Sequence, residues 1–224
     1  MPTMDDAQNS ASSQRVEPHE VPMFPLGTVL IPGSVLPLHI FEHRYRKMVQ
    51  FCIDHSTNFG VVLIERGQEV GGGDTRAMVG TMAHILDHQR FADGRWALHV
   101  LGRNRIEITE WLDDAPYPRA LVAERPEEPG GATLERAQGI LKQMAEFTQQ
   151  AHEMGYRINP LDSEAGAAGL DMAELSYRIA ELVPVGPFDK QRLLMAPTIA
   201  ARLDLLEQEI GSLLDILNAD GNMP

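Results

Sequence analysis

The strongest chemical pattern in this sequence is H-x-x-E-H, formed by His39, Glu42 and His43. In metallopeptidases that carry this pattern, the two imidazoles hold a zinc ion and the glutamate activates a water molecule. That chemistry requires both histidines on one face of a continuous helix. Pro37 stands two residues before His39 and predicts that His39 lies at or before the start of a helix. The sequence therefore favours a chance match at a strand-to-helix junction, with a metal-dependent hydrolase as the alternative.

A second pair of reactive residues is Cys52 with His55, three positions apart. A thiol and an imidazole at this spacing would form a nucleophile pair if both were accessible. Cys52, however, belongs to the apolar stripe of a predicted helix, which favours a buried and inert thiol. Because Cys52 is the single cysteine, the chain has no internal disulfide and no multi-cysteine metal site. We expect no catalytic residue, no metal and no cofactor, and a reducing, cytoplasmic location.

The charge of the chain excludes one large class of partners. It carries 19 Lys+Arg against 32 Asp+Glu, a formal net charge of −13. A nucleic-acid surface needs clustered cations, so we expect no nucleic-acid partner. Residues 21–41 are free of formal charge, but four prolines interrupt them and prevent a single membrane-spanning helix. We therefore expect no membrane partner.

The elements that position these residues divide the chain into three predicted parts. Residues 1–18 are polar and predict a disordered tail. Residues 19–125 carry the strand patterns and predict a β-rich unit with one helix. Residues 126–224 begin with a Pro- and Gly-rich linker and predict a helical unit. The fold class that follows is α+β.

The β-rich unit contains several apolar or alternating segments. Strands are predicted at residues 28–31, 59–65, 80–88, 95–101, 106–108 and 120–123. Asp93 and Gly94 have the residue types of a tight hairpin turn between two of these strands. The one helix is predicted from about residue 41 to 55, because apolar residues recur there at helical spacing.

The helical unit is predicted to contain helices at 134–154, after Asp171, near 189–195 and at 198–217, with a loop at 156–170. Asp171 and Glu174 have the spacing of a capping box. The last helix carries apolar residues at alternating steps of four and three, which favours packing on neighbouring helices. An interaction adaptor that meets its partner through this C-terminal helix is a further alternative for the function.

Several motifs occur along the chain in one characteristic order. The most specific is MFPLGTVLIPGSVLPLHIFE at residues 23–42, followed by GRNRI at 102–106, PYPRA at 116–120 and LVPVGPFDKQRLL at 182–194. Together these stretches resemble the amino-terminal domain of the ATP-dependent Lon protease. The resemblance covers residues 20 to about 217.

The resemblance implies a fold and a role. The fold is a small, PUA-like pseudo-barrel of β-strands followed by an α-helical bundle subdomain. The role is the recognition of unfolded or damaged polypeptide, without the ATPase and protease domains of Lon. We therefore expect a non-catalytic, proteolysis-related substrate-binding module. Its expected partners are unfolded or hydrophobic polypeptide segments and a separate protease or chaperone.

An apolar surface rimmed by polar groups would take such segments. The predicted peptide-binding residues lie at the turn and helix start and on a neighbouring segment: His39, Phe41, Glu42, Arg44, Tyr45, Arg103 and Arg105. The alternative for Phe41 and Tyr45 is a place in the core. The alternative for Glu42 is an ion pair with a nearby arginine.

Overall fold

The structure is a computed structural model that describes residues 17–67 and 73–221. The strands are β1 (His19–Leu26), β2 (Val35–Ile40), β3 (Phe59–Arg66), β4 (Thr75–Arg90), β5 (Trp96–Leu112) and β6 (Arg119–Glu124). The helices are α1 (His43–Asp54), α2 (Leu134–Glu153), α3 (Ser163–Ala167), α4 (Met172–Leu182), α5 (Pro187–Met195) and α6 (Ile199–Gly221). The fold is thus of the α+β class. The tail predicted at residues 1–18 lies outside the described residues, except for residues 17 and 18.

The six strands form one sheet in the order β2-β5-β4-β3-β1-β6. β1 and β3 are parallel, and the other neighbours are antiparallel. β5 is long enough to serve several partners: residues 96–101 pair with β2, and residues 106–112 pair with β6. Since β6 also pairs with β1, the strands β5, β4, β3, β1 and β6 form a closed cycle of pairings.

The strand predicted at residues 28–31 is wrong. These residues lie in the connection between β1 and β2, and Val29, Leu30 and Ile31 are buried there without strand pairing. Their carbonyl groups accept isolated hydrogen bonds instead. Thr81 Oγ1 donates to Leu30 O at 2.6 Å, and Ser34 N donates to Ile31 O at 3.0 Å. An apolar run of this length indicates burial, but it does not distinguish a paired strand from a packed loop.

The helix predictions are confirmed with small shifts at the ends. α1 buries four residues of the predicted apolar stripe: Tyr45, Met48, Val49 and Cys52. Asp171 and Glu174 form the predicted capping box at the start of α4. The predicted loop at 156–170 is corrected by α3, a short helix at Ser163–Ala167. Its first turn is supported by Asp162, whose carboxylate accepts a hydrogen bond from Glu164 N at 2.9 Å.

Sheet and helices share a hydrophobic core. One cluster joins the buried faces of α2, α4, α5 and α6 to Val29, Ile31, Leu63, Ala77 and Val79 of the β-rich part. A second packs α1 against the sheet, and a third lies among β1, β3, β4, β5 and β6. None of the helices in the described residues is long and apolar enough to cross a membrane.

Candidate functional site

An apolar cleft of about 170 Å³ lies where β1 ends, β2 ends and α1 begins. It is lined by Phe24, Pro25, Leu26, Pro37, Leu38, His39, Ile40, Phe41, Glu42 and Tyr45. Pockets for small organic ligands usually measure roughly 300–1,000 Å³. The cleft is smaller than that range, so its size suits an apolar side chain rather than a whole metabolite.

Local contacts at the start of α1 fix the walls of this cleft. Glu42 is the residue before the helix, and its carboxylate accepts a hydrogen bond from Arg44 Nε at 3.1 Å. The Arg44 guanidinium lies over the Tyr45 ring at 4.5 Å, and that ring packs edge-on against Phe24 at 4.5 Å. Burial raises the pKa of Tyr45 to about 12, with the opposing effect of Arg44 included. The phenol therefore remains neutral at physiological pH.

Most of the predicted peptide-binding residues are brought together at this cleft. His39, Phe41, Glu42 and Tyr45 line it, and Arg44 borders it through the contacts above. Phe41 is 58% exposed, so its ring stands at the mouth. Tyr45 is buried and belongs to the core, and Glu42 forms an ion pair with Arg44. The burial of Tyr45 and the ion pair of Glu42 agree with the alternatives stated for these two residues in the sequence analysis.

Arg105 does not belong to this site, and its prediction as a peptide contact disagrees with its position. It is 1% exposed and lies beneath the helices. Its Nη1 donates to Leu194 O at 2.9 Å and to Ala196 O at 2.7 Å, and its Nε lies 2.5 Å from Glu127 Oε1. These partners are between 22 and 91 positions away in the sequence. No local sequence pattern around Arg105 indicates these partners.

Arg103 is exposed, but it borders a different and larger cavity of about 470 Å³. This cavity lies between the β-rich part and α4. Its lining comprises Pro32, Gly33, Ser34, Leu101, Gly102, Arg103, Leu170, Ala173, Glu174, Tyr177, Arg178 and Glu181. The predicted patch is therefore divided between two places on the molecule.

A buried charge network joins the two parts beneath that cavity. Glu127 lies between Arg105 and Arg202, whose Nη2 is 2.8 Å from Glu127 Oε2. Tyr177 donates a hydrogen bond to the same carboxylate and accepts one from Arg202 at 2.9 Å. Burial raises the pKa of Tyr177 far above its ordinary value, so its hydroxyl remains a donor. No sequence pattern predicts this network, because Glu127 lies in a segment with the composition of a linker.

The metal hypothesis lacks the helix that it needs. His39 lies on β2 and His43 is the first residue of α1, so the two imidazoles do not share one helix face. Glu42 is engaged by Arg44. In the part of the chain that the structure describes, no group of three or more His, Cys, Asp or Glu side chains is arranged to hold a metal ion.

A nucleophile pair of Cys52 and His55 would require an accessible thiol, which the structure does not provide. Cys52 is 1% exposed in the core between α1 and the sheet. Burial raises the pKa of this thiol to about 12. Because the thiolate is the reactive form, Cys52 is unreactive at neutral pH. Its neighbour His55 is instead stacked on Phe51 at the surface, with ring centroids 4.3 Å apart.

Comparison with known proteins identifies the family. The family model for the "ATP-dependent protease La (LON) substrate-binding domain" matches residues 20–210. Lon protease 2 of Herpetosiphon aurantiacus is 27% identical over 207 residues, which cover 90% of this chain and 25% of that protein. The chain spans between about a quarter and about half of the length of the first curated relatives it matches.

Two solved structures share the fold. The crystal structure of a Lon N-terminal domain protein from Xanthomonas campestris superposes with a TM-score of 0.58 at 24% identity, covering 84% of this chain and 96% of that one. The N-terminal domain of a Mycobacterium avium complex Lon protease gives a TM-score of 0.65 at 20% identity, covering 86% and 98%. With the family match over residues 20–210, the chain belongs to the family of Lon substrate-binding domains.

Proposed function

We propose that this chain is a non-catalytic polypeptide-binding module, and that the cleft at the start of α1 takes apolar side chains of unfolded segments. The observation that carries the proposal is the open apolar cleft with the ring of Phe41 at its mouth, 58% exposed. A single exposed ring is ordinary on a protein surface, but this ring borders an apolar cleft, and together they form a surface on which a partner can bury apolar area. The family is described as substrate-binding, and the substrates of a Lon protease are polypeptides.

We further propose that the two parts of the chain have different roles. Residues 19–125 form the binding unit, in which the closed cycle of strands is a small pseudo-barrel. The helical unit, proposed for residues 126–224, has its described helices between residues 134 and 221, and these form a bundle that supports the binding unit through the shared core and the Glu127 network. A separate protease or chaperone then acts on the bound polypeptide, since the chain itself contributes recognition.

Charge supports polypeptide rather than nucleic acid as the partner. Several arginines of the β-rich part are neutralised by neighbouring carboxylates. Arg76 pairs with Asp74 at 2.7 Å and Asp114 at 2.8 Å, and Arg119 pairs with Glu20 at 2.7 Å. Cations that are already paired release few phosphate counterions, so they contribute little to nucleic-acid affinity.

The test replaces Phe41 with serine and measures binding to an unfolded chain. We expect Phe41→Ser to weaken the binding of fluorescently labelled, reduced and carboxymethylated α-lactalbumin by about tenfold, because the ring contributes roughly 1–2 kcal/mol of apolar burial at the interface. Anisotropy titration at physiological salt gives the Kd. Because the ring is mostly exposed in the free protein, the thermal midpoint should stay within a few degrees.

The matched control is Phe188→Ser, which removes an equally exposed ring, 60%, from α5. This variant should bind the unfolded chain as the wild type does. If Phe41→Ser and Phe188→Ser have the same affinity as the wild type, the cleft is not the binding site. If the wild type itself shows no preference for unfolded over native α-lactalbumin, the proposed function is wrong.

A further inference from the structure

The open edge of the sheet lies beside this cleft. Among the described strands, β2 alone has a single strand neighbour, because it pairs with β5 and with no other strand. An open strand edge presents unpaired backbone N–H and C=O groups, and these are a template for another extended chain. Residues 37–40 of β2 border the open cleft, and Pro37 and His39 are exposed there.

The phase of the β2–β5 pairing shows which backbone groups face outwards. Gly102 N donates to Ser34 O at 2.9 Å, just before β2 begins. In an antiparallel ladder the bonded positions recur at every second residue, so Leu36, Leu38 and Ile40 bond to β5. Val35, Pro37 and His39 then turn their backbone groups to the open edge.

The position of Pro37 is consistent with this alternation of inward and outward backbone groups. Proline has no N–H group, and within sheets it occurs where that side of the strand faces outwards on an edge. The open edge therefore offers the N–H groups of Val35 and His39, and the carbonyl groups of Val35, Pro37 and His39. Pro37 thus removes one outward donor, so an added strand forms one backbone hydrogen bond fewer here than at an edge without proline.

The opposite wall of the cleft is also a partly unpaired strand. β6 pairs with β1 only at residues 19–22, whereas residues 24–26 of β1 pair with β3 alone. These three residues line the cleft opposite residues 37–40 of β2. The cleft therefore lies between an open strand edge on one side and apolar side chains on the other.

We propose that an extended segment of an unfolded polypeptide binds as an additional strand on the open edge of β2. Its backbone pairs with the outward groups of Val35, Pro37 and His39, and alternate apolar side chains enter the cleft beside Phe41. This inference rests on the proposed function and specifies its substrate: a segment in extended conformation, with an apolar residue at every second position. Backbone pairing is tolerant of sequence, which suits a module that meets many unfolded chains.

The first test is a pair of substitutions at one position. His39→Pro removes the outward N–H and places a ring on the edge, while the bonds to β5 stay intact. His39→Thr also removes the imidazole but keeps the N–H. The probe is a labelled peptide of about ten residues in which valine or phenylalanine alternates with threonine or lysine. We expect His39→Pro to raise its Kd about tenfold and His39→Thr to leave it within about twofold.

The second test uses the wild-type protein, so it does not depend on the folding of a variant. Two versions of the peptide carry N-methyl groups on one or the other set of alternate backbone amides. A paired strand uses only one set, so one version should lose binding and the other should retain it.

The outcomes separate this inference from the proposed function. Equal losses for both methylated versions, or equal Kd values for His39→Pro and His39→Thr, would overturn strand addition. If Phe41→Ser still weakens binding in that case, the proposed function stands. A wild-type dimer in sedimentation that His39→Pro dissociates would mean that a second copy occupies the edge, which also overturns the inference.

Discussion

Replacing Glu127 with alanine is expected to lower the free energy of unfolding by about 3 kcal/mol, the lower end of the range for removing one partner of a buried ion pair. Glu127 is the shared counter-charge of two fully buried guanidinium groups, those of Arg105 and Arg202. Without it, both cations remain in the interior, where their other partners are mainly carbonyl oxygens and hydroxyl groups. Urea-induced unfolding, followed by circular dichroism and by tryptophan fluorescence, measures the change.

The control for this substitution is the adjacent residue. Glu128 is exposed, and Glu128→Ala should stay within about 0.5 kcal/mol of the wild type. The two probes report on different parts, because both tryptophans lie on β5 and most of the helical signal comes from α2, α4 and α6. With one shared core we expect the two transitions to coincide. A Glu127→Ala protein as stable as Glu128→Ala would show that the network does not join the two parts.

Replacing Gly80 with alanine is expected to destabilise the fold by about 2–3 kcal/mol, the range for overpacking a close contact. A Cβ atom at this position in β4 would lie 2.3 Å from Val61 O and 2.6 Å from Val62 Cγ1 on β3. The carbonyl group cannot move aside without disturbing the pairing of β3 and β4. The loss is measured by the same urea titration.

Gly139 on α2 is the matched control, since a Cβ atom there meets nothing within 4 Å. Gly139→Ala should stabilise the protein by about 0.5–1 kcal/mol, because alanine lowers the entropic cost of helix formation. The two glycine-to-alanine changes thus have opposite expected signs. Equal effects would contradict the close approach of β3 and β4.

Features that depend on neighbouring residues could be predicted from the sequence. The apolar stripe of α1 and the capping box of Asp171 and Glu174 are both local, and both form as expected. Pro37 correctly placed His39 before the helix, which also removed the basis of the metal hypothesis. Closeness in the sequence also predicted that His39, Phe41, Glu42 and Tyr45 lie near one another. In the structure all four line one cleft.

Features that depend on distant residues could not be predicted. Arg105 was predicted with Arg103 on a segment that contacts peptide, but its partners are Glu127 and the carbonyl groups of Leu194 and Ala196, which are distant in the sequence. The apolar run at 28–31 correctly indicated burial. Whether these residues form a paired strand or a packed loop depends on which strands pair with β5 and β3, and those pairings are long-range. The open edge of β2 is likewise a property of the whole sheet, since it depends on which of the other described strands pair with β2.

The most direct measurement of the binding site is photo-crosslinking at two matched positions. A benzophenone amino acid replaces Phe41 in one protein and Phe188 in another, because both rings are exposed to a similar degree, 58% and 60%. Each protein is irradiated with reduced and carboxymethylated α-lactalbumin, and the products are mapped by mass spectrometry. We predict strong crosslinks from position 41, carried mainly by apolar stretches of the unfolded chain, and weak ones from position 188. Equal yields at the two positions, or a higher yield at 188, would contradict polypeptide binding at the cleft.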